Sequence, residues 1–91
     1  MNIENTHQLK FALRCGKYAW PGGYPCYFVT SDGAVLSYEA VLEELRQVMF
    51  SIKHHISDGW RVIGYDINYE DGQLYCDHTG IRIESAYAEA E

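Results

Sequence analysis

Apolar and polar positions alternate over residues 9–14, with Leu9, Phe11 and Leu13 on one side and Lys10, Ala12 and Arg14 on the other. A two-residue period predicts a half-buried strand. The stretch from Gly16 to Pro25 breaks the pattern. It holds both prolines of the chain and three glycines, so it predicts a loop, and Tyr18, Trp20 and Tyr24 make that loop aromatic. Residues 26–30 read as a second strand. Asp32-Gly33 is a hairpin turn signal, and residues 34–36 supply a short third strand.

The period then changes. Val41, Leu42, Leu45, Val48, Met49, Ile52 and Ile56 fall within about 60° of Leu45 on a helical wheel, one continuous stripe. Ser37 is a good N-cap, Glu39 suits the positive end of the helix dipole, and Ser57-Asp58-Gly59 predicts the stop. Residues 60–69 return to strand period, with Ile63, Tyr65, Ile67 and Tyr69 on one face. Asp71-Gly72 marks a second hairpin, residues 73–76 the returning strand, and residues 81–83 a short edge. The expectation is an α+β fold: a mainly antiparallel sheet of four to five strands, in ββ-α-ββ order, covered by one amphipathic helix. Residues 1–91 form a single domain, with residues 1–7 and 85–91 expected to fray.

A chain of this size buries a thin core, which favours a surface that binds over a deep catalytic cavity. No run of about 18 apolar residues predicts a membrane span, and Met1 to His7 lacks the apolar stretch of a secretory signal. With three cysteines, the chain is expected to be cytoplasmic, with reduced thiols. The net charge of −6 is uneven: residues 1–30 carry +2, residues 31–57 carry −2 and residues 58–91 carry −6. That balance disfavours direct duplex binding and suits a basic partner surface.

Three features carry candidate chemistry. Phe50 lies about 140° from the stripe centre, beside Glu43, Gln47 and His54, where it is expected to anchor a partner. Tyr18, Trp20 and Tyr24, with Arg14 and Lys17 nearby, offer contact area for a protein or a stacking platform for a single strand. Cys76 and His78 have the look of half a zinc knuckle. A structural zinc needs four ligands, and Cys15 and Cys26 are not knuckle-spaced; His54 and His55 could substitute. A thiol–imidazole dyad is the catalytic alternative, but no nucleophile elbow, phosphate loop or dinucleotide fingerprint is present, so no catalytic residue is assigned.

Two segments, Leu9-Lys10-Phe11-Ala12-Leu13-Arg14-Cys15-Gly16-Lys17-Tyr18-Ala19-Trp20-Pro21-Gly22-Gly23-Tyr24-Pro25 and Cys76-Asp77-His78-Thr79-Gly80-Ile81-Arg82-Ile83-Glu84-Ser85-Ala86-Tyr87, resemble small uncharacterised accessory proteins of bacterial plasmids, integrative elements and phages. The resemblance implies a mobile-element accessory gene in a bacterial host cell and carries over no catalytic residue. The expected function is a non-enzymatic protein-binding module, of the kind that inhibits a host nucleic-acid-targeting defence complex (anti-CRISPR or anti-restriction) by steric and acidic blockade. Its partner is a host protein or ribonucleoprotein, its form a monomer or homodimer, and its contact residues Phe50, Glu43, Glu44, Gln47, His54, Tyr18, Trp20, Tyr24, Glu70 and Asp71. The alternatives are a zinc-stabilised regulatory module that touches nucleic acid and a thiol-dependent enzyme.

Overall fold

The computed structural model describes residues 1–19 and 23–86. Its elements in order are α1 (Thr6–Cys15), β1 (Tyr18–Ala19), β2 (Tyr24–Thr30), β3 (Val35–Leu36), α2 (Tyr38–Glu43), α3 (Leu45–His54) and β4 (Val62–Ile67). The class is α+β, but the strand count is not the expected four to five. The main ladder is three antiparallel strands in which β2 is central, pairing β3 on one edge and β4 on the other. The two-residue β1 extends the assembly at the start of β2.

The predicted strand at residues 9–14 is helix α1. Alternation and helical spacing overlap there, and the cap decides. Asn5 accepts a hydrogen bond from the Gln8 N–H (2.9 Å), and the Gln8 carboxamide accepts one from the Glu4 N–H. The first bond satisfies a donor that a helix start leaves orphaned, and the second ties the residue before the cap to the first turn. Leu9 and Ala12 are then buried and Leu13 packs against the core, while Phe11 turns to solvent. The same contacts tie down residues 1–7. The Ile3 N–H donates to the Ile63 carbonyl (2.8 Å) and the Tyr65 N–H to the Met1 carbonyl (3.0 Å), so the segment expected to fray lies along the outer edge of β4.

The predicted single helix is two. It breaks at Glu44 (φ −109°, ψ 33°), although the Glu44 N–H still reaches the Ala40 carbonyl and the Val48 N–H the Glu44 carbonyl. The break turns the buried stripe: Val41, Val48 and Ile52 are fully covered, Leu45 and Met49 partly so, and Leu42 and Ile56 are exposed. Left-handed His55 (φ 54°), not Gly59, caps α3. Beyond it, the hydroxyl of buried Ser51 donates to the Asp58 carboxylate (2.8 Å), which also accepts from the Gln47 amide (2.7 Å) and the Trp60 N–H (3.0 Å).

Partial burial opposes the Asp58 charge, but these donors outweigh it and hold the carboxyl below its ordinary value. With the folded pKa lower than the unfolded one, the contribution is complete above about pH 4 and is lost as pH falls through the folded value. Asp58→Ala should therefore cost about 1–3 kcal/mol at neutral pH by stranding the Ser51 hydroxyl, and should flatten the acid limb of the stability curve. Urea melts at pH 7 and pH 3 read both effects, and an unchanged midpoint at pH 7 contradicts the arrangement.

The predicted strands at residues 73–76 and 81–83 reduce to one bridge, Tyr75 with Arg82. Two backbone hydrogen bonds flank that bridge, from the Ile83 N–H to the Leu74 carbonyl (2.7 Å) and from the Cys76 N–H to the Ile81 carbonyl (2.9 Å), and side chains add to them. Buried Asn68 donates to the Asp71 and Glu84 carbonyls (both 3.0 Å), and the Asp77 carboxylate accepts from the Val35 N–H (2.7 Å). A register shift between Val29 and Thr30 leaves Ile63 exposed while Val62 and Tyr65 enter the core, which breaks the expected single face of β4. No helix among the described residues is long and apolar enough to cross a membrane.

Candidate functional site

Phe50 projects from α3 with 52% of its surface exposed, its ring tilted against the His54 imidazole at 4.4 Å between centroids. Neighbours one turn away on a helix share its face, and for Phe50 these are Arg46, Gln47, Lys53 and His54. Arg46, Lys53 and His54 are exposed. Gln47 is committed inward, to Asp58 and Ser51. The expected acidic surround is therefore not there: an apolar ring stands among basic groups.

The acids expected beside it point elsewhere. Glu43 ends α2 and Glu44 occupies the break, and both carboxylates converge on His78 from the distant turn after Cys76. The His78 Nε2 lies 3.5 Å from Glu43 Oε1 and 3.8 Å from Glu44 Oε2. The Trp60 ring packs edge-on against the imidazole, 4.9 Å between centroids. Cys76 does not share this cluster. Its buried Sγ accepts from the Ser37 N–H (3.3 Å). Burial pushes that thiol up, and hydrogen bonds from Thr79 and Ser37 outweigh it, so its pKa sits below the ordinary value. The expected Cys76–His78 metal pair is thus split between two environments.

The aromatic loop is split as well. Tyr18 pairs with Pro25 and Ala19 with Tyr24, so alternation sends Tyr18 and Tyr24 to opposite faces of the ribbon. The Tyr18 hydroxyl donates to Glu84 (2.8 Å), and Lys17 lies 5.7 Å from its ring centre. Tyr24 packs on Tyr69 at 5.6 Å. Trp20 lies outside the described residues. A cleft of about 470 Å³ opens between β2, the start of α2 and residues 79–84, with Lys17 and Glu39 ion-paired at 2.8 Å in its lining.

Glu70 is exposed, whereas Asp71 holds a turn: its N–H donates to Asn68 (3.1 Å) and its carboxylate accepts from the Gln73 N–H (2.9 Å). Across the sheet, Tyr27 pairs with Asp66. Burial first, then the charges of Asp66 and Asp71, push the Tyr27 phenol above its usual value. These groups make an acidic patch on the sheet, away from Phe50.

Among thiols and imidazoles, Cys15 is exposed at the end of α1, and the Cys26 Sγ donates to the Tyr24 carbonyl (3.4 Å). His54 lies on Phe50, the His55 Nδ1 faces Arg61 (3.2 Å), and His78 faces two carboxylates. Sequence reading placed Asp58 in the turn that stops the helix but missed Ser51 and Asn68, whose polar side chains organise the turns. Ser51 lies about 120° from the stripe centre on the helical wheel, so the sequence pattern gave no sign of its burial.

What the geometry defines is a class, a small α+β domain with helices layered on a short antiparallel sheet. Comparison with known proteins returns no matching family model, no similar curated protein and no similar solved structure.

Proposed function

We propose that the chain is a non-enzymatic binding module of a bacterial mobile element, which docks a host protein or ribonucleoprotein through the outward face of α3. The observation that carries this reading is Phe50, half exposed and tilted against His54, in a helix whose opposite face supplies the core. An aromatic ring at the centre of a polar rim is the usual form of a binding hot spot. Arg46 and Lys53 beside it favour a partner pocket that is apolar at its floor and acidic at its rim. Affinity capture from a bacterial host lysate, run in parallel with wild type and Phe50→Ala, tests it. A partner retained by the first and lost by the second is expected; equal retention contradicts the proposal.

The acidic patch favours a second reading, in which Asp66, Glu70 and Asp71 occupy the basic groove of a host nucleic-acid-targeting complex and inhibit it. Under that reading capture weakens steeply with salt and survives Phe50→Ala, but fails when Asp66 and Glu70 are replaced by lysine.

A further inference from the structure

We propose that Glu43, Glu44 and His78 form a site for one first-row transition-metal dication of the zinc class. It is distinct from the α3 face and does not depend on the binding reading. The three donor atoms come from two segments far apart in sequence, yet all lie within 4.8 Å of one another. Their spacing matters more than their proximity. At 3.5 and 3.8 Å the imidazole nitrogen is beyond the roughly 2.7–3.2 Å of a hydrogen bond. These separations lie in ion-pair range and are also close to the about 3.4 Å between two ligands each about 2.1 Å from a tetrahedral zinc; the three atoms, which spread up to 4.8 Å, draw together as the ion binds.

The backbone explains the convergence. On an unbroken helix adjacent side chains diverge by about 100°. The break at Glu44 brings both carboxylates to the same side. The third ligand is held in advance. The His78 turn is clipped to β3 by the Asp77 N–H on the Val35 carbonyl (2.8 Å) and the Val35 N–H on the Asp77 carboxylate (2.7 Å), and it closes with the Gly80 N–H on the Cys76 carbonyl (2.8 Å). The edge of Trp60 fixes the imidazole plane. One nitrogen and two carboxylate oxygens suit zinc rather than magnesium, which prefers an all-oxygen shell. The bound ion neutralises two neighbouring carboxylates, staples the turn to the α2–α3 junction, and keeps a coordination position open to solvent.

The test is calorimetric titration of chelator-treated protein with zinc chloride, together with thermal melts, in a Cys15→Ser background that removes the exposed thiol. One zinc per chain and a raised Tm are expected. His78→Ala and the isosteric Glu43→Gln should each weaken binding at least tenfold, with circular dichroism confirming the fold. His54→Ala/His55→Ala should bind as the parent does, and magnesium chloride should leave the melt unchanged. The proposal is overturned if zinc binding does not saturate, if it persists undiminished in both His78→Ala and Glu43→Gln, if it disappears with His54 and His55, or if magnesium shifts the melt equally.

Discussion

Phe28→Ala should lower stability by about 3–5 kcal/mol and the melting temperature by about 15–30 °C. Phe28 sits at the middle of the central strand, with 0% of its surface exposed. Its ring lies 5.1 Å from that of Tyr65 on β4 and 6.5 Å from that of Tyr38 at the start of α2. Removing it opens a cavity where sheet and helices meet. The surrounding frame resists collapse, because Tyr38 is tied to the Leu13 carbonyl and Tyr65 to the Gly16 carbonyl, each at 2.7 Å. A domain of this length has about 5–14 kcal/mol in all, so the loss consumes much of it. A circular-dichroism melt that moved by less than about 5 °C would contradict this view of the core.

Phe50→Ala should do the reverse: leave the melt within about 0.5 kcal/mol of wild type and weaken partner binding by about 2 kcal/mol, or 30-fold. The ring rests on His54, itself exposed, and fills no space in the interior. Truncation therefore opens no cavity, while a partner that had covered the ring loses its anchor. Titration of the captured partner against both proteins measures the affinity change. A large drop in melting temperature with unaltered binding would assign Phe50 to the fold instead.

How much of this was legible depended on whether the deciding contact was local. The hairpin at Asp32-Gly33 was readable: Gly33 takes positive φ, and the turn forms where the dipeptide stands. The outward position of Phe50 followed from its angle on the wheel. Helix α1 was misread because Leu9, Phe11 and Leu13 fit a strand, while Leu9, Ala12 and Leu13 fit a helix equally well. The Asn5–Gln8 cap broke the tie, and it lay in a segment expected to fray. The kink at Glu44 has no glycine or proline to announce it.

The ordering of residues 69–84 through Asn68 and Asp77 needs partners far along the chain. So does the meeting of His78 with Glu43 and Glu44, since no spacing rule links residues that only tertiary folding brings together. The knuckle reading looked for a neighbour in sequence, Cys76, and the structure gave His78 neighbours in space.

The most direct test of α3 as the contact face is photo-crosslinking in the bacterial host, with p-benzoylphenylalanine placed at position 50 or, in a second strain, at exposed position 69. The account predicts a discrete crosslinked partner from position 50 and none from position 69. A silent position 50, or the same partner captured from both, would contradict it.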